Sequence, residues 1–165
     1  MCGEKVIVIG CPGSGKSTFA RALSGITGLP LYHLDLLYWH EDRTTVPREL
    51  FHARLAEILG EERWIIDGNY GGTMEMRLNA CDTVFFLDYP LDVCLDGIRA
   101  RFGKPRKDMP WVEKEPDADF LQFIKNFNDE SRPRILTLLN ACPDKTVITF
   151  HERAEADVYL QKISR

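Results

Sequence analysis

An α/β fold built on a parallel sheet is predicted for this 165-residue chain, and three features of the sequence predict it. Short runs of β-branched and aromatic residues recur along the chain, segments of helical apolar spacing separate them, and the first run passes through a glycine-rich bend straight into a helix. Such alternation requires right-handed crossovers, which lay helices over both faces of the sheet.

Each element has its own reason. Val6 to Ile9 is continuously apolar, as a central parallel strand covered on both faces must be. Lys16 to Leu23 reads as a helix closed in the Gly25 and Gly28 region, and Leu29 to His33 as the second strand. Pro47 suits a first helical turn; Leu50, Phe51, Leu55, Ile58 and Leu59 then keep helical spacing until Gly60. Trp64 to Ile66 is a third strand ending at Asp67, and Thr83 to Leu87 a fourth ending at Asp88, with a helix from about Leu91 to Arg101. Between Phe102 and Asp119 the chain turns polar and proline-rich, as a mobile surface excursion does. Two helical stretches, Phe120 to Phe127 and Pro133 to Leu139, precede a fifth strand at Thr146 to Phe150 and a last helix from about Ala154. One domain accommodates all of this.

The formal net charge of −4 excludes a general attraction to nucleic acid or anionic membrane, so any anion site must be local. Five cysteines (Cys2, Cys11, Cys81, Cys94, Cys142) lack the close pairing of a zinc or redox motif and are read as reduced thiols. No run approaches the roughly 20 apolar residues of a membrane span, and the apolar start is too short for a signal peptide. The expected location is the cytoplasm, as a monomer or homodimer.

The chemistry is concentrated in Gly10-Cys11-Pro12-Gly13-Ser14-Gly15-Lys16-Ser17, with Thr18 following, which fills the pattern G-x-x-x-x-G-K-[ST] between a strand and a helix. Glycines let successive amides curl toward phosphate oxygens, and the helix N-terminus adds partial positive charge. Lys16 is expected on the β- and γ-phosphates and the Ser17 hydroxyl on Mg²⁺, which makes ATP and Mg²⁺ the expected ligands. Chance would produce the four fixed positions in about one chain of this length in two hundred.

With that motif at the start of a short α/β chain, the sequence resembles the nucleoside monophosphate kinase-like phosphate-loop proteins, which include adenylate, shikimate and gluconate kinases. His33-Leu34-Asp35, Trp39, Trp64 to Tyr70 and Ser131-Arg132-Pro133-Arg134 further resemble the bacterial adenylate-kinase-related group labelled DNA topology modulation proteins. The resemblance implies strand order 2-3-1-4-5, a lid at about 102–130, and ATP at the C-terminal edge of the sheet.

Several site residues follow from that placement. Asp35 is expected at the sheet edge, orienting or deprotonating a phosphoryl acceptor, with helix capping as the alternative role. His33 shares its face, either as a substrate contact or as a structural hydrogen-bonding group. Asp67 resembles the carboxylate that holds Mg²⁺ through water, the alternative being a turn aspartate before Gly68. Asn69, Tyr70 and Trp39, with Tyr38, fall on the acceptor side; the aromatic residues either wall a pocket for a planar or apolar group or pack in the core. Gly71 replaces the arginine that grips the monophosphate in adenylate kinases, which argues against AMP; Arg43 or Arg77 are the substitutes, unless they are solvated charges. Arg99, Arg101, Lys104, Arg106 and Lys107 form the most basic stretch, and by resemblance Arg101 neutralises the transferring phosphoryl group, Arg99 supports ATP, and Arg132 and Arg134 form a second pair.

The expected activity is transfer of the γ-phosphoryl of ATP to a small-molecule acceptor. Two rivals share the loop: a regulatory ATPase acting on DNA, against which the acidic balance argues, and a nucleoside monophosphate kinase.

Overall fold

In the computed structural model, residues 3–115 and 117–165 are described; Cys2, and position 116 of the expected lid, lie outside them. Strand β1 (Lys5–Gly10) is central, and its Val6, Ile7, Val8 and Ile9 are wholly buried. Burial on that scale stabilises by about 1.5–3 kcal/mol per side chain, so continuous apolarity here is a requirement of position. On one side lie β3 (Trp64–Asp67) and then β2 (Leu31–His33); on the other lie β4 (Thr83–Leu87) and then β5 (Thr146–Phe150). All pairings are parallel, in the order β2-β3-β1-β4-β5 that the resemblance implies.

Register brings the chemistry to one edge. Val8 lies beside Asp67, and Asp67 beside His33, so three strand ends meet next to the bend that follows Gly10. Helix α1 (Lys16–Thr27) starts there from Gly15 at φ 89° and stops at Gly28 at φ 72°, left-handed values that favour glycine. Its Phe19 ring lies 5.0 Å from Phe85 and 5.6 Å from Phe150, pinning the helix to β4 and β5.

The remaining helices are α2 (Leu34–Tyr38), α3 (Arg48–Leu59), α4 (Gly71–Ala80), α5 (Leu91–Arg101), α6 (Ala118–Asn140) and α7 (Arg153–Ile163). Three of these differ from the sequence reading. Helices α2 and α4 were not anticipated, and the two expected stretches around Pro133 are one helix, α6. Pro133 is tolerated because both it and Asp129, whose carbonyl loses a donor, face solvent. Meanwhile Ile124, Phe127, Ile135 and Leu139 keep one buried stripe running past it. No helix among the described residues is long and apolar enough to cross a membrane.

Candidate active site

At the C-terminal edge of the sheet opens a cleft of about 1050 Å³. That exceeds the volume a single drug-sized ligand needs, leaving room for a nucleotide and a second molecule. Its floor is the phosphate loop, with Pro12, Gly13, Gly15, Lys16, Ser17 and Thr18 bordering it, while Gly10, Cys11 and Ser14 lie behind as support.

Three clamps hold that loop. Asn69 accepts from the Gly10 amide at 3.0 Å and donates to the Gly10 carbonyl at 2.5 Å, locking the exit from β1. Arg153, first residue of α7, donates to the carbonyls of Ser14 at 3.0 Å and Gly13 at 3.1 Å. It is aimed by a capping box in which Glu152 and Glu155 satisfy each other's backbone amides. Gly97 of α5 is the third clamp: a Cβ there would collide with the Gly13 carbonyl, so helix and loop pack backbone to backbone. Helix propensity alone favours Gly97→Ala by about 1 kcal/mol. The collision outweighs this, since overpacking costs about 1–3 kcal/mol where backbone must move. Gly97→Ala is therefore expected to lower the melting temperature, measured by thermal unfolding, despite its better helix propensity.

Lys16 donates to the Cys11 carbonyl at 3.3 Å. Burial draws its ammonium below the ordinary value, against the pull of Asp67, Cys11 and Asp35. Ser17 Oγ stands 2.5 Å from Asp67 Oδ2 and 3.0 Å from Asp108 Oδ2. Asp67 Oδ2 also meets His33 Nδ1 at 2.7 Å, while its Oδ1 is buried with no hydrogen-bond partner among the described residues. Hard oxygen donors with an unsatisfied carboxylate oxygen fit Mg²⁺. Among the described residues no group of three or more His, Cys, Asp or Glu could hold a metal, so the fit is to an ion that keeps its waters and takes phosphate oxygens.

Across the cleft, Asp35 accepts a short hydrogen bond from the Tyr70 hydroxyl. Burial raises the Asp35 carboxyl above the usual carboxylate range, although Tyr70 opposes it, and burial together with Asp35 pushes the Tyr70 phenol far up. Tyr70 holds φ 36°, a left-handed conformation that costs a non-glycine residue about 1–2 kcal/mol. Trp39 borders the same wall and meets Trp111, from the segment between α5 and α6, edge-on at 5.2 Å; the Arg43 guanidinium lies 5.9 Å from the Trp111 ring centre. Tyr38 packs edge-on against both Tyr70 and Trp39.

The cationic side is supplied by Arg101, Arg106 and Arg21, all bordering the cleft. Arg101 pairs with Glu113 at 3.1 Å, and burial and Arg106 draw its guanidinium down from its ordinary value. Arg106 pairs with Asp108 at 2.5 Å.

The structure removes other expected residues from the cleft. Arg77 is fully buried and donates to Thr73 Oγ1 and to the carbonyls of Gly68, Asn69 and Tyr70, so it scaffolds the site and cannot replace the missing arginine. His33 stands behind Asp67 and does not border the cleft. Arg99 is 72% exposed and pairs with Asp96. Arg132 forks onto Asp88 with two 2.8 Å bonds, and Arg134 faces solvent; neither borders the cleft. Asp108, Gly97 and Trp111 escaped the sequence reading. Their signals were a lone acid after Arg106-Lys107, a glycine inside a helix and a tryptophan in a polar stretch.

No protein-family model matches the chain, and no curated protein matches it in sequence. Solved structures do match in fold, kinases among them. A shikimate kinase from Bacteroides thetaiotaomicron superposes with a TM-score of 0.62 at 19% identity, covering 96% of this chain and 94% of its own. A shikimate kinase from Aquifex aeolicus gives 0.56 at 21% identity, covering 96% and 92%. A sugar kinase from a Janibacter species gives 0.56 at 18% identity, covering 98% and 92%. The chain thus has the phosphate-loop kinase fold along nearly its whole length.

Proposed function

We propose that this chain is a small-molecule kinase that moves the γ-phosphoryl of ATP onto a hydroxyl of its acceptor. The observation that carries the reading is the meeting of Lys16 and Asp35 in one cleft, close enough that each shifts the other's ionisation. A triphosphate-binding ammonium and a hydroxyl-binding carboxylate have little reason to meet otherwise. The kinases that share the fold support the same class.

In this reading the loop amides and Lys16 bind and orient the triphosphate, and Arg101 and Arg106 neutralise charge gathering on the transferred group. Mg²⁺, when held by Ser17 and Asp67, supplies charge neutralisation on phosphate oxygens. Asp35, fixed by Tyr70, accepts the proton of the acceptor hydroxyl as its oxygen bonds phosphorus and ADP leaves. The stretch at about 102–130, which runs into α6, acts as the lid over one domain. Trp39 and Trp111 offer ring surfaces, which suits an acceptor with a planar or apolar face.

The test is a metabolite pool incubated with ATP and Mg²⁺, phosphorylated products being followed by mass. A product bearing phosphate on a hydroxyl is expected, and a pool left unchanged would sink the proposal. Once the acceptor is known, pH should report Asp35. Its carboxyl is raised, so turnover falls as pH drops through that raised value, earlier than an ordinary carboxylate would dictate. Asp35→Asn should flatten that limb and lower kcat about 10²- to 10⁴-fold; an unaltered profile would remove Asp35 from its role.

A further inference from the structure

We infer that Asp108 is a metal-facing residue, whose carboxylate joins Ser17 and Asp67 around the divalent cation that arrives with the nucleotide. The inference rests on the nucleotide-binding reading above and assigns a residue outside the phosphate loop to its metal.

Asp108 lies in a polar stretch, 91 positions from Ser17, yet is only 3% exposed. A carboxylate held that deep is costly unless its charge is matched. Arg106 at 2.5 Å and Arg21 at 3.4 Å match part of it. Burial raises the Asp108 carboxyl, but the Arg106 and Ser17 contacts outweigh it and keep the group ionised, below the usual carboxylate range.

The side toward Ser17 is different. One hydroxyl hydrogen faces two carboxylate oxygens, Asp67 Oδ2 and Asp108 Oδ2, and can satisfy only one. Asp67 Oδ1, on a side chain 4% exposed that borders the cleft, has no hydrogen-bond partner among the described residues. A cation beside Ser17 resolves both deficits, because it turns the serine oxygen into a donor of electron pairs and gives each carboxylate a charge to face. The same loop carries Arg106, whose buried Nη1 faces Glu113 as an ion pair at 3.4 Å but meets no hydrogen-bond partner among the described residues. Phosphate oxygens would supply that partner. Two residues of one segment therefore face the two halves of a metal nucleotide, the carboxylate its cation and the guanidinium its anion.

The deciding measurement is Mn²⁺ binding, read by electron paramagnetic resonance, to the protein saturated with a non-hydrolysable ATP analogue. Asp108→Asn is expected to weaken Mn²⁺ binding about tenfold or more, with affinity for the analogue in EDTA not reduced. Asp108→Cys should gain Cd²⁺ over Mn²⁺ relative to the parent, whose own thiols set the background, because a thiolate prefers the softer ion. That gain distinguishes a ligand from a residue that merely anchors Arg106, and it remains readable if Asp108→Asn folds poorly. Mn²⁺ held as tightly by Asp108→Asn as by the parent, or more tightly as release of a blocking latch would give, overturns the inference; so does a cysteine variant with no gain for Cd²⁺. Failure of the parent to bind the analogue overturns the nucleotide reading and this inference with it, an outcome visible before any variant is made.

Discussion

Lys16→Ala is expected to reduce phosphoryl transfer about a thousandfold or more, while leaving the fold intact. The side chain follows Gly15 at the start of α1, and its ammonium donates one hydrogen bond among the described residues, 3.3 Å to the Cys11 carbonyl. Little structure therefore depends on it. Burial already disfavours its charge, which the Asp67 and Asp35 carboxylates restore in part. A cation held in so costly a place suits an anion that is present only during the reaction, and a developing charge is stabilised most strongly where water is excluded. Turnover measured with the acceptor found in the metabolite pool, beside thermal unfolding of both proteins, checks the expectation. A variant with parental kcat would remove the loop from the chemistry; one that merely unfolds would leave Lys16 as a folding residue.

Arg77→Met should be the most destabilising single substitution around the site, by about 3–5 kcal/mol. The methionine fills much of the volume but leaves the carbonyls of Gly68 and Asn69 without the guanidinium that donates to them, while that of Tyr70 keeps the Thr73 amide and hydroxyl. Burial pulls the guanidinium down to about 10, still well above neutral pH, so the native group is charged, and each of its three nitrogens donates a hydrogen bond. Arg77→Lys should recover only part of the loss, since an ammonium cannot reproduce the planar fork. Urea unfolding reads the effect as a shift in midpoint at constant slope. Because Asn69 belongs to the released turn and clamps Gly10, nucleotide affinity should fall in step with stability. Unchanged affinity in a destabilised Arg77→Met protein would show that the turn and the loop are not coupled.

What could be read from the sequence was what periodicity and spacing encode. The strands announce themselves because burial on both faces demands unbroken apolar runs such as Val6 to Ile9. The phosphate loop does so because its chemistry fixes residue types at fixed spacing. Helix α2 is five residues long, too short for any repeat to show. Helix α4 buries Thr73 and Arg77 beside Met74 and Leu78, so its inner face does not look apolar. The Pro133 break is overridden by a buried stripe that continues past it. Asp108 was hidden for another reason: in a charged segment, nothing local distinguishes a carboxylate that folds inward, and only three-dimensional proximity to Ser17 does. Arg77 shows the converse, since an arginine near a site suggests ligand binding until its donors are found on backbone carbonyls.

The grip of Arg153 on Gly13 and Ser14 has a consequence for how the molecule is made. As the chain is synthesised, the glycine-rich bend is made about 140 residues before the guanidinium that steadies it. Until then the growing polypeptide carries the motif without one of the clamps that fix its shape, so the bend is completed only late in synthesis.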